Sequence, residues 1–195
     1  PYNWVPIGSM DHLNAAQLDE FMNFYKKFYI PNNATLSIAG DIDVAKTKEL
    51  IAAYFGSIPA GEPVVQPTVE EPALGGEKSL TVYDNIQLPA VMMGYRMPPQ
   101  TSDDAYALQM ASTVLSGGPS SRMYKRLVDQ DQTALQVFAF PFTLEQGGAF
   151  ITFSLANAGK GIDDMTPALE EEIVKLQTEL ISEREFEKIQ NQMES

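Results

Sequence analysis

The chain has 195 residues, with 26 acidic and 13 basic side chains, a net charge of −13, one histidine and no cysteine. The absence of cysteine excludes thiol catalysis, disulfides and cysteine-based metal sites, and His12 alone cannot build a histidine-rich zinc site. The negative charge argues against nucleic-acid binding, and no apolar run approaches the ~18 residues of a membrane-spanning helix.

The first part of the chain predicts two helices and a strand. Apolar residues at helical spacing predict a helix over 15–29, which Pro31 ends. Alternating residues predict a strand over 34–39. Asp43 is a typical helix N-cap, and the helix that follows it should end at Gly56.

Residues 57–78 are rich in proline and glycine and have no apolar period. A stretch of this length without secondary structure is unusual inside a compact domain. We therefore interpret 57–78 as a linker. The length of the chain itself fits one large domain or two small ones, at ~150 residues per domain.

The second part alternates strands with helices. The patterns predict strands at 79–84 and 89–97, helices at 103–115 and 122–129, a hairpin of strands 133–142 and 149–157, and a helix over 162–180. Ala149, Ile151, Phe153 and Leu155 share one face of the last strand. Ser182 and Glu185 have the spacing of a capping box that opens a final helix. Adjacent strand pairs mixed with long helices indicate an α+β fold with an antiparallel sheet.

The glycine-rich loop over 117–121 is the strongest local candidate for a binding site. Gly117, Gly118, Ser120 and Ser121 precede a helix, and free N–H groups at such a place suit an anion or a peptide carboxylate. The loop lacks the lysine of a phosphate-binding loop. The alternative is a tight turn between helices in which Ser120 or Ser121 is a cap.

Two other candidates are weaker. His12 could act as a general base, but a surface or capping role is the simpler interpretation. The run of Glu170, Glu171 and Glu172 could suggest metal binding, yet consecutive helical positions point in different directions and favour a solvated face. The residues alone therefore indicate no complete catalytic site.

Four blocks together resemble the pitrilysin/insulinase-like zinc metallopeptidase family. They are PYNWVPIG at 1–8, FYKKFYIPNNATLSIAGD at 24–41, YFGSIP at 54–59 and GGPSSRMYKRL at 117–127. The resemblance implies a parent protein of two similar α+β halves that close around an unfolded peptide. It implies zinc in the first half, on an inverted H-x-x-E-H helix that is not in this sequence.

By the same resemblance, the chain is the end of the catalytic half (1–56), the linker (57–78) and the first part of the non-catalytic half (79–195). It should hold no zinc and cut no peptide alone. The family often has an arginine and a tyrosine in the non-catalytic half that hold substrate backbone. Val128 and Leu135 stand at these positions and cannot donate such hydrogen bonds. By the resemblance, the parent is then either the zinc-bearing subunit of a two-subunit peptidase or a degenerate member of the family.

Three functions are compatible with these residues and with the resemblance. The parent is an active zinc endopeptidase, and this segment helps to form the chamber for a peptide or unfolded polypeptide. Alternatively, the parent is a non-catalytic homologue that supports an active subunit, or the chain is an acidic binding module on its own. A homodimer, or a heterodimer with a family subunit, is the expected assembly.

Both ends of the sequence look cut, so we expect exposed apolar surfaces. The compartment stays open between the bacterial periplasm and the cytoplasm.

Overall fold

The computed structural model describes residues 2–67 and 69–194. The chain divides into two compact units, Pro1–Glu77 and Lys78–Ser195, which we call the N-terminal and the C-terminal unit. No helix among the described residues is long and apolar enough to cross a membrane.

The described residues of the N-terminal unit form three α-helices: α1 (Met10–Ala15), α2 (Leu18–Phe28) and α3 (Val44–Phe55). The helix predicted over 15–29 begins instead at Leu18, because Gln17 is its cap and donates its backbone N–H to the Glu20 carboxylate at 2.7 Å. The helix predicted after Asp43 is confirmed. The Asp43 carboxylate accepts the Lys46 N–H at 2.8 Å, and Gly56 ends the helix.

The strand predicted over 34–39 is wrong. Residues 34–39 lie outside every helix and strand of the described chain, and Leu36 and Ile38 are exposed. A strand needs a hydrogen-bonding neighbour, and no described segment pairs with this one. Residues 57–67 and 69–77 likewise contain no helix or strand. None of the described residues of the N-terminal unit is buried.

The C-terminal unit is built on a three-stranded antiparallel sheet in the order β1-β3-β2. Its strands are β1 (Ala90–Met97), β2 (Ala134–Leu144) and β3 (Gly147–Ala156). The predicted strand at 89–97 and the predicted hairpin are confirmed, although Leu144 pairs with Gly147, so the turn is tighter than expected. The strand predicted over 79–84 is wrong, since no described strand pairs with this segment and Tyr83 is almost fully exposed.

Within residues 78–194, four helical segments accompany the sheet: α4 (Asp103–Ser116), a π-helix (Tyr124–Gln130), α5 (Ile162–Thr178) and α6 (Glu183–Glu194). The helix predicted over 122–129 is therefore mostly a π-helix, and the Asp131 N–H donates to the Arg126 carbonyl five residues earlier. The helix predicted to 180 ends at Thr178, because Glu179 adopts an extended backbone. The predicted α+β fold with an antiparallel sheet is confirmed.

The core of the C-terminal unit lies between the helices and one face of the sheet. Its fully buried side chains include Leu115, Met123, Leu127, Met165 and Leu169. β3 contributes Phe150, Thr152, Ser154 and Ala156, whereas the residues at 149, 151, 153 and 155 share the opposite face, as predicted, but are only half-buried.

The second face of the sheet is apolar, with exposed residues on β1 and β2 and half-buried residues on β3. Phe138 stacks on Phe153 with ring centroids 6.1 Å apart, and Met92 pairs with Phe153 from the other side. We call this surface the open face; its residues are Met92, Phe138, Phe140, Phe142, Ile151 and Phe153.

Candidate functional site

The backbone of the glycine-rich loop forms internal hydrogen bonds. The N–H groups of Gly117 and Gly118 donate to the carbonyls of Thr113 (2.9 Å) and Ser116 (2.7 Å). Ser121 is buried, and its hydroxyl donates to the Gly118 carbonyl at 2.6 Å. Gly118 has a φ of +99°, which favours glycine. These contacts describe a tight turn between two helices, and the anion-binding role of the loop stays a prediction.

Side chains of α6 form hydrogen bonds with the glycine-rich loop and with the residue that follows it. The Ser120 hydroxyl accepts a hydrogen bond from Lys188 Nζ at 2.6 Å. The Arg122 guanidinium donates to both carboxylate oxygens of Glu185, at 2.8 and 3.0 Å. The predicted capping box is present, since Glu185 also accepts the Ser182 N–H at 3.0 Å. The four candidate residues therefore lie at a fixed junction between α4, the π-helix and α6.

The ion pair between Arg122 and Glu185 shifts the pKa of both side chains. Hydrogen bonding from Arg122, followed by the bonds from Ser182, lowers the pKa of Glu185 to about 2 against the opposing effect of burial. The hydrogen bond to Glu185 raises the pKa of Arg122. Glu185 is thus ionised at neutral pH and serves as a structural anchor for α6.

Val128 and Leu135 lie on different elements. Val128 is in the π-helix and packs against the core, whereas Leu135 is an exposed residue of β2. Both side chains are hydrocarbons, so neither offers a donor for a peptide backbone. The structure thus places no hydrogen-bonding side chain at either position.

No metal centre is found in the part of the chain that the structure describes. No group of three or more His, Asp or Glu side chains lies close enough to hold an ion. His12 is an exposed residue of α1, and Glu172 is buried with its carboxylate 2.7 Å from Lys175 Nζ. Glu170 and Glu171 are exposed. The residues present do not fit a catalytic zinc site.

Sequence reasoning missed two concave surfaces. A groove of about 770 Å³ in the N-terminal unit is lined by α2, α3 and the segment after α2, including Phe24, Phe28 and Phe55. The apolar residues at helical spacing in α2 were a sequence signal for this groove. A pocket of about 350 Å³ in the C-terminal unit lies among β1, β3, α4 and α5. No sequence signal indicated this second pocket, because it forms between elements that are far apart along the chain.

Fold and topology together define an α+β segment built on an antiparallel sheet. The sequence profile of the family described as peptidase M16 inactive domain matches residues 15–193. The chain therefore belongs to the peptidase M16 inactive domain family.

Several relatives carry zinc-protease names. The chain is 31% identical over 196 residues to the zinc protease PqqE of Helicobacter pylori, covering 97% of this chain and 43% of that protein. It is 24% identical to an uncharacterized zinc protease of Mycobacterium leprae, covering 82% of this chain and 36% of the relative. The chain thus spans less than half the length of these curated relatives.

Solved structures share the fold. A protease from Helicobacter pylori aligns with a TM-score of 0.81 and 28% identity, over 100% of this chain and 48% of the other. A peptidase M16 inactive domain from Pseudomonas fluorescens aligns with a TM-score of 0.71 and 14% identity, over 98% of this chain and 46% of the other. The second likeness shows the fold alone.

Proposed function

We propose that the chain is a non-catalytic segment of a zinc endopeptidase and helps to form the chamber that holds its polypeptide substrate. The match to the inactive-domain family over residues 15–193 carries this proposal. The zinc-protease names of the relatives support zinc in the full-length protein, on residues outside this chain.

The arrangement we propose has 1–56 as the end of the catalytic half, 57–78 as a linker and 79–195 as the first part of the non-catalytic half. The division of the chain between Glu77 and Lys78 supports a boundary there. The absence of any buried residue among the described part of the N-terminal unit supports the view that its core needs further chain.

The open face supports contact with a polypeptide. Phe138, Phe140 and Phe142 are between 42% and 52% exposed, and Met92 is 65% exposed. Exposed apolar surface of this kind typically marks a site of interaction. A ferredoxin protease of similar fold, 21% identical, has been solved in complex with ferredoxin, which is consistent with a polypeptide substrate.

A second candidate is a non-catalytic homologue that acts as a scaffold for an active subunit. Val128 and Leu135 are compatible with it, because neither side chain can hold substrate backbone. In that case the partner is a subunit of the same family that carries zinc. The same two residues are equally compatible with the zinc-bearing subunit of a two-subunit peptidase.

The test measures zinc content and chelator-sensitive cleavage of a quenched peptide by the full-length protein, with the 195-residue chain as control. Zinc-dependent turnover by the full-length protein alone is expected. Absence of both zinc and turnover would favour the scaffold.

A variant pair tests the chamber role in the same assay. Phe140→Ser should raise KM about threefold to tenfold at unchanged zinc content, if the open face contacts substrate. Tyr106→Ser on α4, also an exposed aromatic residue, is the matched control and should leave KM unchanged. Equal KM values for both variants would contradict the chamber role of this face.

A further inference from the structure

The turn that follows α2 contacts a distant part of the N-terminal unit. Pro31–Asn33 form a short 3₁₀ turn, and the Asn33 side-chain amide donates to the Phe28 carbonyl at 2.9 Å. The turn is therefore fixed to the end of α2. Its middle residue, Asn32, makes a different contact, with a residue 29 positions further along the chain.

Asn32 binds both main-chain groups of Gly61. Asn32 Nδ2 donates to the Gly61 carbonyl at 2.9 Å, and Asn32 Oδ1 accepts the Gly61 N–H at 3.0 Å. A carboxamide offers a donor and an acceptor side by side, so it pairs with one residue of backbone as a neighbouring antiparallel strand does. The two bonds fix both the position and the direction of the chain at Gly61.

The side chain of Ile30 completes this contact. A Cβ at Gly61 would lie 2.7 Å from Ile30 Cδ1 and 2.8 Å from Ile30 Cγ2, so the Gly61 backbone lies directly against Ile30. Both residues are half-buried, whereas the residues at 57–60 and 62–63 are exposed. Gly61 is thus a point of attachment within an exposed stretch. We call Ile30, Asn32 and Gly61 the linker anchor.

We propose that Asn32 is a positioning residue of the peptidase: it holds Gly61 on the turn after α2, so that the chain leaves the catalytic half at Glu62. This inference rests on the proposed function, in which the same chain continues into the non-catalytic half. Residues 57–61 then belong to the N-terminal unit. The linker consists of 62–78, which is 17 residues instead of the 22 that the sequence predicts.

A shorter linker keeps the two halves at a higher effective concentration. This concentration falls with about the −3/2 power of linker length, so release of residues 57–61 should lower it about 1.5-fold. Because the proposed chamber holds its substrate between the halves, the loss should raise KM and leave kcat unchanged. Loss of folded protein would instead reduce the amount of active enzyme and leave KM unchanged.

The first measurement follows amide hydrogen exchange at Gly61 by NMR in the 195-residue chain. Asn32→Ala removes both bonds to Gly61, so exchange there should become at least about tenfold faster. Asn23→Ala is the matched control, since Asn23 is an exposed asparagine of α2, and should leave exchange at Gly61 unchanged.

The second measurement is cleavage of the quenched peptide by the full-length protein. Asn32→Ala should raise KM about 1.5-fold to threefold, with kcat and zinc content unchanged. Asn23→Ala should leave both kinetic constants unchanged. Deletion of residues 63–67 from Asn32→Ala removes as many residues as the variant releases, so it should return KM to the original value.

Two results would overturn the proposal. Unchanged exchange at Gly61 in Asn32→Ala would show that Asn32 does not hold this residue in solution. A KM that is the same for Asn32→Ala and Asn23→Ala, or that the deletion does not restore, would show that the anchor does not act through linker length. If the full-length protein cuts no peptide, the proposed function fails, and exchange at Gly61 decides on its own whether the anchor exists.

Discussion

The two units of the chain differ in where their apolar side chains lie. The C-terminal unit buries a cluster that includes Leu115, Leu127 and Leu169, whereas the N-terminal unit buries none of its described residues. Yet α2, in the N-terminal unit, has a clear apolar stripe with Phe21 and Tyr25 more than half exposed. An amphipathic helix thus supplies a surface for a core, and a second layer must be present before a core exists.

The largest expected effect on stability comes from expressing the two units as separate polypeptides. Residues 78–195 alone should unfold in urea in one cooperative transition, because they contain the whole buried cluster. Residues 1–77 alone should lose helical signal gradually, since helices without tertiary packing are marginally stable in water. Far-UV circular dichroism of each piece checks this. A sharp transition in 1–77 would contradict the comparison.

Removal of one core side chain should have the next largest effect. Leu169→Ala should lower the free energy of unfolding by about 2–5 kcal/mol, because Leu169 is fully buried and the substitution leaves a cavity. Leu18→Ala, at a residue of α2 that is 76% exposed, is the matched control and should change stability by less than about 0.5 kcal/mol. If urea titrations gave both variants a comparable loss in the free energy of unfolding, the difference in burial between the two units would be contradicted.

The Arg122–Glu185 pair should give a smaller, pH-dependent effect. The pKa of Glu185 is lowered from 4.5 to about 2 in the fold, so its contribution is present above pH 4.5 and is lost as pH falls toward 2. Because the pair is partly exposed, we expect Glu185→Gln to cost about 1 kcal/mol at pH 7. The difference from the original chain should vanish near pH 2.

Urea titrations from pH 7 to pH 2 measure this difference. Glu187→Gln, at an exposed residue of the same helix, is the control and should leave the pH dependence unchanged. A constant difference between Glu185→Gln and the original chain at every pH would contradict ionic anchoring of α6.

The smallest expected effect is a gain. Thr152 is fully buried in β3, and its hydroxyl has no hydrogen-bond partner among the described residues. Thr152→Val keeps the branched shape and removes the unpaired polar group, so stability should rise by about 1 kcal/mol. Thermal unfolding of the C-terminal unit measures this gain. An unchanged or lower melting temperature would indicate that the hydroxyl has a partner in solution.

The sequence predicted the elements with strong local signals. Asp43 and Gly56 bound α3, the period of α4 is clear, and the hairpin of β2 and β3 has a glycine-rich turn. The four family blocks predicted the family, which the match over residues 15–193 confirms. Local chemistry was sufficient for these predictions because caps, turns and periodicity act within a few residues.

The sequence failed where the outcome depends on distant residues. Residues 34–39 and 79–84 alternate like strands, but alternation does not provide a partner strand. β3 alternates as well, yet the pattern did not reveal that Thr152 and Ser154 face the core while Ile151 and Phe153 are half-buried. The pocket of about 350 Å³ in the C-terminal unit joins residues from four elements, and no spacing along the chain encodes it.

The bond between Ser116 and Ala139 limits how far strand addition can proceed. If two copies joined through β1, the outermost strands of the joined sheet would both be β2. Each of these would carry the same Ser116 cap and Pro141, so neither could template another copy. Growth of the sheet would therefore terminate after a single step, because Ser116 and Pro141 block the β2 edge of each copy.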